Sequence, residues 1–262
     1  MKKFRYIILT ICLFLPSLVY ALEIDGLNSK NVIVYNIDNN KIIYEKNGDK
    51  EVPIASLTKI MTTIVSIEEI KDLKETVVIT SEMLKGIPWD ATVAGLKVND
   101  KVTYEDLLYS SMIPSGADAT QALAISLTGS IDNFVKLMNK KAKDLNLAHT
   151  NFVNTTGLDI DNHYSSVKDV LTLLNYSLKN STFKKVYETK YYTTSNNIEL
   201  KSTLSHYNEY LNYDLSFIKG SKTGYTDDAG LCLSTESLID GAKIITVTTG
   251  ADYTYDGYYN NL

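Results

Sequence analysis

Four polar side chains in this sequence could together carry out acyl transfer. Ser56 and Lys59 lie three residues apart, Ser115 follows 59 residues after Ser56, and Lys222 comes 107 residues after that. A serine hydroxyl is a poor nucleophile until a base removes its proton, and a neutral lysine can be that base. A second hydroxyl can relay the proton, and a second cation can bind a carboxylate. The set therefore favours a serine–lysine acyl-transfer site, a recognised variant of the serine triad.

A predicted helix over residues 56–70 explains how the first two side chains would meet. Residues three apart in a helix share one face, so Ser56 and Lys59 would lie side by side. The other faces of this helix are largely apolar, which predicts burial of Lys59 and a lowered lysine pKa. The backbone N–H of Ser56, in the first turn of the helix, is free to bind an oxyanion.

The segments around Ser115 and Lys222 are weak evidence for a catalytic site when each is taken alone. Their order along the chain after Ser56 makes the evidence stronger. Ser115 follows Pro114 in a predicted turn, and residues 222–224 are predicted to begin a strand. Lys222 supplies a cation and Thr223 a hydroxyl, while Gly224 has no side chain to obstruct a substrate along the strand edge. Spacing alone does not single out Ser56, because three other serines also precede a lysine by three residues: Ser165, Ser181 and Ser216.

Size and composition indicate one folded domain behind an export signal. The 262 residues are enough for a single large core or for one domain with an insertion. A basic start and an apolar run over residues 6–20 predict a secretory signal peptide over residues 1–21, since the run is short for a membrane span. Its removal would take away three cations and change the formal charge from −5 to about −8. Cys232 would then remain as the single cysteine, predicted to be a buried hydrophobe outside any disulfide.

Two classes of function are not supported by this composition. No cluster of lysine and arginine suggests a nucleic-acid surface. The histidines at positions 149, 163 and 206 match no metal-ligand spacing. We therefore expect neither a nucleic-acid partner nor a metal or other cofactor.

The pattern of elements predicts a sheet interrupted by helices. Largely apolar segments over residues 31–37 and 41–44 flank a polar turn and predict a β hairpin. A near capping box at Thr103 and Asp106 predicts the start of a helix that Pro114 ends. Further helices are predicted over residues 117–127, 131–145 and 164–180. From residue 185 the pattern turns to β structure, with strands predicted over residues 187–194, 221–225, 230–235 and 243–249. The expected fold is an antiparallel sheet with a helical insertion over about residues 73–205, and a site where the two meet.

Several of these segments resemble the D-alanyl-D-alanine carboxypeptidase family of low-molecular-mass penicillin-binding proteins. The resemblance runs from about residue 28 to residue 250. The matching stretches are Ala55-Ser56-Leu57-Thr58-Lys59-Ile60-Met61-Thr62, Met112-Ile113-Pro114-Ser115-Gly116, Asn154-Thr155-Thr156-Gly157-Leu158, Asn162-His163-Tyr164-Ser165 and Gly220-Ser221-Lys222-Thr223-Gly224-Tyr225-Thr226. These stretches are far more specific than the bare motifs.

The resemblance implies both a fold and a set of roles. The fold is α/β and β-lactamase/transpeptidase-like, with a five-stranded antiparallel sheet flanked by helices and an inserted helical subdomain. Ser56 becomes the acyl-ester nucleophile, Lys59 the proton acceptor and Ser115 the relay serine.

The same resemblance assigns the substrate contacts. Lys222 and Thr223 become the anchor for the terminal carboxylate of the peptide, beside Gly224. The backbone N–H groups of Ser56 and Tyr225 would form the oxyanion hole.

The implied activity is removal of the terminal D-alanine from peptidoglycan stem peptides, through an acyl-enzyme that β-lactams would also form. The implied location is extracytoplasmic, at the cell wall or cell surface. Peripheral association with the outer face of the cytoplasmic membrane, or a tether from an uncleaved signal segment, would be compatible with it. We expect residues 22–262 to form the catalytic domain, without the C-terminal β domain that many family members carry.

One departure from the family pattern keeps other functions open. Ala117 stands where the family usually has asparagine, so it cannot hydrogen-bond a substrate amide or steady Lys59. A catalytically weak relative that binds cell-wall peptides is therefore an alternative. A serine β-lactamase is a further alternative, and it is disfavoured because no glutamate occurs from Gly116 to Tyr187 to activate water.

Overall fold

The structure is a computed structural model that describes residue 24, residues 26–211 and residues 214–252. The signal segment predicted over residues 1–21 lies outside these residues, and so does the chain after residue 252.

The main sheet has five antiparallel strands, as predicted. They are β1 (Asn31–Asn36), β2 (Lys41–Lys46), β7 (Ile218–Thr226), β8 (Gly230–Ile239) and β9 (Ala242–Ala251). Their order across the sheet is β2-β1-β9-β8-β7, so β7, which carries residues 222–224, is an edge strand. Two small antiparallel pairs lie between β2 and β7 in the chain: β3 (Thr76–Val78) with β4 (Lys101–Thr103), and β5 (Tyr191–Thr193) with β6 (Glu199–Lys201).

Seven α-helices lie in the described part of the chain. They are α1 (Thr58–Glu69), α2 (Tyr104–Met112), α3 (Ala117–Thr128), α4 (Ile131–Asp144), α5 (Val167–Ser177), α6 (Ser181–Glu188) and α7 (Thr203–Leu211). The predicted helix over 164–180 is correct in place but begins later, because Tyr164 and Ser165 form isolated β bridges with other segments and Ser166 caps the helix.

The prediction that the chain turns to β structure from residue 185 is wrong for two segments. α6 runs to Glu188 because Asn180 caps its first turn and Phe183, Val186 and Tyr187 form one buried face at helical spacing. α7 lies within the same region. The Tyr- and Thr-rich composition of residues 187–194 yields only the three-residue strand β5.

α1 is the central element of the core. Every residue from Thr58 to Ser66 is buried, so the polar stripe of this helix is enclosed as well as its apolar faces. A 3₁₀ turn over Ala55–Leu57 precedes α1 and packs against β7 and β8, while α5 packs against β1 and β9. Cys232 on β8 is buried in the same core, as predicted, and burial raises the pKa of its thiol to about 12.

The predicted capping box at the start of α2 is present and does more than cap the helix. Asp106 accepts hydrogen bonds from the backbone N–H and hydroxyl of Thr103. It also accepts bonds from the Tyr192 hydroxyl at 2.9 Å and from the backbone N–H of Ser195 at 3.1 Å. This one buried carboxylate therefore joins α2 to the β5–β6 pair.

Replacement of Asp106 by alanine should lower the free energy of unfolding by about 2–4 kcal/mol, because several buried donors would lose a charged acceptor. Urea denaturation of Asp106→Ala beside the parent would measure the loss. Asp144→Ala is the control, because solvent screens its exposed ion pair with Lys140 and little stability should be lost with it. Equal losses in the two variants would contradict the role given to Asp106.

Candidate active site

The nucleophile candidate lies beside a buried lysine, as the sequence predicts. Lys59 is in the first turn of α1 and is 3 % exposed. Its Nζ donates a hydrogen bond to Ser56 Oγ at 3.0 Å and another to the carbonyl oxygen of Thr156 at 2.7 Å. The two contacts fix the amine directly against the hydroxyl.

Burial makes Lys59 suitable as a base. It lowers the pKa of the ammonium group from 10.5 to about 7, while the Asp118 carboxylate acts more weakly in the opposite direction. About half of the molecules would then carry a neutral amine near pH 7. A neutral amine 3.0 Å from a serine hydroxyl can take its proton.

A second serine–lysine contact lies on the other side of the site. Lys222 on β7 donates from Nζ to Ser115 Oγ at 2.9 Å and to the carbonyl oxygen of Thr223 at 2.7 Å. Burial, together with the nearby Lys59, holds the pKa of Lys222 well below its usual range. An entering carboxylate would favour the charged form of this lysine and so gain a strong ionic partner.

Two glycines allow the backbone around Ser56 to close up. A Cβ atom at Gly224 would lie 2.8 Å from the backbone nitrogen of Ser56. A Cβ atom at Gly157, whose φ is +85°, would lie 1.8 Å from the carbonyl oxygen of Ala55. The turn that carries Ser56 is therefore held between β7 and the 154–158 loop at distances that only glycine permits.

Two other residues of the site have positive φ angles that are unusual for their types. Ala55, directly before the nucleophile candidate, has φ +46°, and Ser115 has φ +67°. Such backbone is strained for residues with a Cβ atom and persists where packing determines it. These two turns place the side chains of Ser56 and Ser115 at the same cleft.

The structure brings the predicted site residues together. Ser56, Lys59, Ser115 and Tyr225 line one cleft of about 80 Å³, together with Ala117. Thr223 and Gly224 lie between Tyr225 and Lys222 on β7. The side chain of Tyr225 is 45 % exposed at the cleft.

The other serine–lysine pairs of the same spacing serve different purposes. Lys168 binds the Asp49 carboxylate at 2.9 Å, and this contact raises its pKa. Lys184 binds Glu236 at 2.6 Å, and Lys219 donates to a backbone carbonyl at 3.2 Å. None of these three lysines is a buried base beside its serine, so burial singles out Ser56.

Two supporting residues were missed by the sequence analysis. The Asn154 side chain accepts hydrogen bonds from the backbone N–H groups of Thr156 and Gly157, and so shapes the turn whose carbonyl holds Lys59. The ring of His163 accepts the Val153 N–H at Nδ1, 3.1 Å away, which leaves the proton on Nε2 to donate to Thr58 Oγ1 at 2.8 Å. Both residues lie in stretches that resemble the family, around residues 154 and 162, and that resemblance could have pointed to them.

The position of the family asparagine is occupied by a buried methyl group. Ala117 is 2 % exposed at the cleft wall. The neighbouring Asp118 accepts hydrogen bonds from the backbone N–H groups of Ala94, Gly95 and Leu96 at 2.8–3.0 Å. It thereby fixes the loop that carries the far wall of the cleft. Among the described residues, no cluster of three His, Cys, Asp or Glu side chains could hold a metal ion.

Comparison with known proteins agrees with this geometry. The profile of the family described as D-alanyl-D-alanine carboxypeptidase matches residues 19–253. With the antiparallel sheet, the inserted helices and the serine–lysine cleft described above, this match shows that the chain belongs to the D-alanyl-D-alanine carboxypeptidase family.

Relatives within the family have different names. The chain is 32 % identical to the D-alanyl-D-alanine carboxypeptidase DacF of Bacillus subtilis, over 85 % of this chain and 57 % of that protein. It is 30 % identical to a D-alanyl-D-alanine endopeptidase of Pseudomonas aeruginosa, over 86 % of this chain and 72 % of that protein. The solved structure of the Streptomyces K15 DD-transpeptidase superposes with a TM-score of 0.80 at 27 % identity, covering 92 % of this chain and 96 % of that one.

The pH dependence of serine acylation should report the titration of Lys59. The neutral amine is the competent form, so the rate should rise with pH through a limb near pH 7. Lys59→Met should lower the rate by about 10²–10⁴-fold, whereas replacement of the exposed Lys143 by methionine should not change it. Stopped-flow measurement with a chromogenic β-lactam from pH 5.5 to pH 9.5 would give the profile. A limb near the ordinary lysine value would contradict the assignment.

The buried His163 should make the fold sensitive to acid. Burial lowers the pKa of its ring from 6.5 to about 4. The unfolded chain therefore binds the proton more readily than the folded protein does. The free energy of unfolding should fall by about 2–3 kcal/mol as the pH drops from 6.5 to about 4.

Urea denaturation at several pH values would test this, with His163→Gln and His149→Gln compared with the parent. The dependence of stability on pH should be reduced in His163→Gln alone, since the side chain of His149 is 38 % exposed whereas that of His163 is buried. If the free energy of unfolding depended on pH in the same way in all three proteins, His163 would not be the source of the acid sensitivity.

Proposed function

We propose that this protein is a serine-type D-Ala-D-Ala carboxypeptidase that removes the terminal D-alanine from peptidoglycan stem peptides. The observation that carries the proposal is the contact between Ser56 Oγ and the buried amine of Lys59 at 3.0 Å. Membership of the D-alanyl-D-alanine carboxypeptidase family supports the same chemistry.

Acylation uses the two serine–lysine contacts in sequence. Ser56 Oγ attacks the carbonyl carbon of the penultimate D-alanine as its proton passes to Lys59. The C–N bond to the terminal D-alanine breaks, and the proton returns through the Ser115 hydroxyl to the leaving nitrogen. Water then attacks the ester, releases the shortened peptide and restores the proton on Ser56.

Substrate orientation comes from β7. The terminal carboxylate binds Lys222 and Thr223, which places the scissile carbonyl beside Gly224 and Ser56. The backbone N–H groups of Ser56 and Tyr225 stabilise the oxyanion. A β-lactam carries a carboxylate at a similar distance from a reactive carbonyl, so it acylates the same serine.

Peptidoglycan lies outside the cytoplasm, so this function requires export. The predicted signal segment over residues 1–21 would provide it. None of the helices among the described residues has the length and apolar character needed to cross a bilayer.

A catalytically weak peptide-binding relative is the second candidate, and Ala117 favours it. The methyl group offers no amide to the substrate or to Lys59. The Thr156 carbonyl, which binds Lys59 at 2.7 Å, supplies one of the missing contacts and so supports the enzyme. A β-lactamase is disfavoured because no glutamate lies among the residues that line the cleft.

The test is the intact mass of the protein after incubation with benzylpenicillin, with Ser56→Ala in parallel. The parent should gain one penicilloyl group that persists for minutes, and Ser56→Ala should gain none. Release of D-alanine from a diacetyl-L-Lys-D-Ala-D-Ala peptide should be lost in the same variant. Circular dichroism would establish that both proteins are folded.

The outcomes separate the candidates. No adduct on the folded parent would favour the peptide-binding relative, and rapid loss of the adduct would favour a β-lactamase. An adduct on Ser56→Ala would overturn the choice of nucleophile.

A further inference from the structure

An exposed tryptophan lies at the edge of the cleft that contains Ser56. Trp89 is 96 % exposed, although tryptophan side chains are largely buried on average in folded proteins. It is also the single tryptophan of the sequence. The three residues that follow it, Asp90, Ala91 and Thr92, line the same cleft as Ser56. The indole ring therefore stands at the rim of the cleft with almost no protein packed against it.

The loop that carries Trp89 is held by backbone hydrogen bonds. The backbone N–H of Ala91 donates to the carbonyl oxygen of Pro88 at 3.1 Å, which closes a four-residue turn with Trp89 at its second position. The carbonyl oxygen of Thr92 accepts the backbone N–H of Ala117 at 2.8 Å, which joins the loop to the start of α3. A ligand that contacts the ring therefore meets backbone that is already ordered, and binding has less conformational entropy to overcome.

The charges at the cleft favour a cationic ligand group at its rim. Lys59 and Asp90 are the charged side chains among the described residues that line the cleft. Lys59 is buried and about half neutral near pH 7, whereas Asp90 is exposed beside the indole ring. The face of an indole ring attracts cations and also packs against methylene groups. An aliphatic chain that ends in an ammonium group matches this pair of side chains.

The position of the cleft along β7 shows which part of a substrate reaches this rim. In the proposed reaction the terminal carboxylate binds Lys222 and Thr223, and the scissile carbonyl lies beside Gly224. The residues of β7 that line the cleft are the next two, Tyr225 and Thr226. The cleft therefore lies on the acyl side of the scissile bond, away from the leaving D-alanine. On that side the next side chain of the substrate belongs to the residue before the D-alanyl-D-alanine pair.

We propose that Trp89 and Asp90 bind the side chain of this third stem-peptide residue and select one with a free terminal amine, which rests on the function proposed above. The substrate class is a stem peptide whose third residue is a diamino acid with an uncapped side-chain ammonium group. Its methylene groups lie on the indole ring, and the ammonium group lies between the ring and the Asp90 carboxylate. A side chain whose amine has been acylated has lost the charge and is discriminated against.

Two peptides that differ by one acetyl group test this selection: Nα-acetyl-L-Lys-D-Ala-D-Ala, with a free side-chain amine, and diacetyl-L-Lys-D-Ala-D-Ala. On the parent protein, kcat/KM for the free-amine peptide should be at least about fivefold higher. The ratio of the two values should fall toward one in Asp90→Asn and in Trp89→Leu. Asp132→Asn removes the same charge at an exposed position of α4, outside the cleft, and is the matched control that should keep the parental ratio.

The single tryptophan allows the same contact to be followed without turnover. In Ser56→Ala, where acylation is blocked, the free-amine peptide should change the fluorescence emission of Trp89 in a saturable way. The diacetyl peptide should need a several-fold higher concentration for the same change. The difference should shrink in high salt, since salt screens exposed charges. Emission that responds to phosphatidylglycerol vesicles and to neither peptide would make Trp89 a membrane contact and overturn the inference.

The results separate this inference from the proposed function. If the parent releases D-alanine from both peptides with the same kcat/KM, the selection is wrong and the carboxypeptidase stands. If Asp90→Asn and Trp89→Leu both fold and keep the parental ratio, these two side chains are not where the third residue binds. If neither peptide is cleaved and penicillin does not acylate Ser56, the proposed function itself fails.

Discussion

The burial of Lys59 without an acidic partner is the constraint on which the site depends. A pKa lowered from 10.5 to about 7 corresponds to roughly 5 kcal/mol of unfavourable desolvation, which the rest of the fold must offset. The fully buried first half of α1 and the tight packing of the 3₁₀ turn against β7 provide this environment. The same environment keeps the amine neutral and makes it a base. The cost in stability and the capacity for catalysis therefore have one physical cause.

The arrangement of the nearby charges preserves that neutrality. Asp118 is the carboxylate that acts on Lys59, but its oxygens are occupied by three backbone N–H groups of the loop at residues 94–96. It remains an anchor for the cleft wall and does not form an ion pair with the lysine. The pKa of Lys222 is lowered as well, first by burial and then by the nearby charge of Lys59. A substrate carboxylate would draw the charge onto Lys222 and leave Lys59 neutral.

The parts of the fold with local signals could be predicted from the sequence, and so could the side chains of the site. The β1–β2 hairpin and the capping box at Thr103 follow from turn and cap residues close in the chain. α6 was missed because its end overlaps the Tyr- and Thr-rich segment over residues 187–194, whose composition favours a strand, whereas packing of its buried face stabilises a helix. The contacts of the Thr156 carbonyl and the His163 ring could not be predicted, although both residues lie in stretches that resemble the family. A backbone carbonyl has no sequence signature, and the histidine acts across 105 residues of chain.

The close contacts at Gly157 and Gly224 have a consequence for how this protein can vary. Both positions hold the Ser56 turn through backbone proximity, so any side chain there would displace the nucleophile itself. Neither residue contributes a functional group, a charge or apolar surface. Which substitutions this cleft can accept over evolution therefore depends on where the backbones need empty space, as well as on which side chains take part in the chemistry.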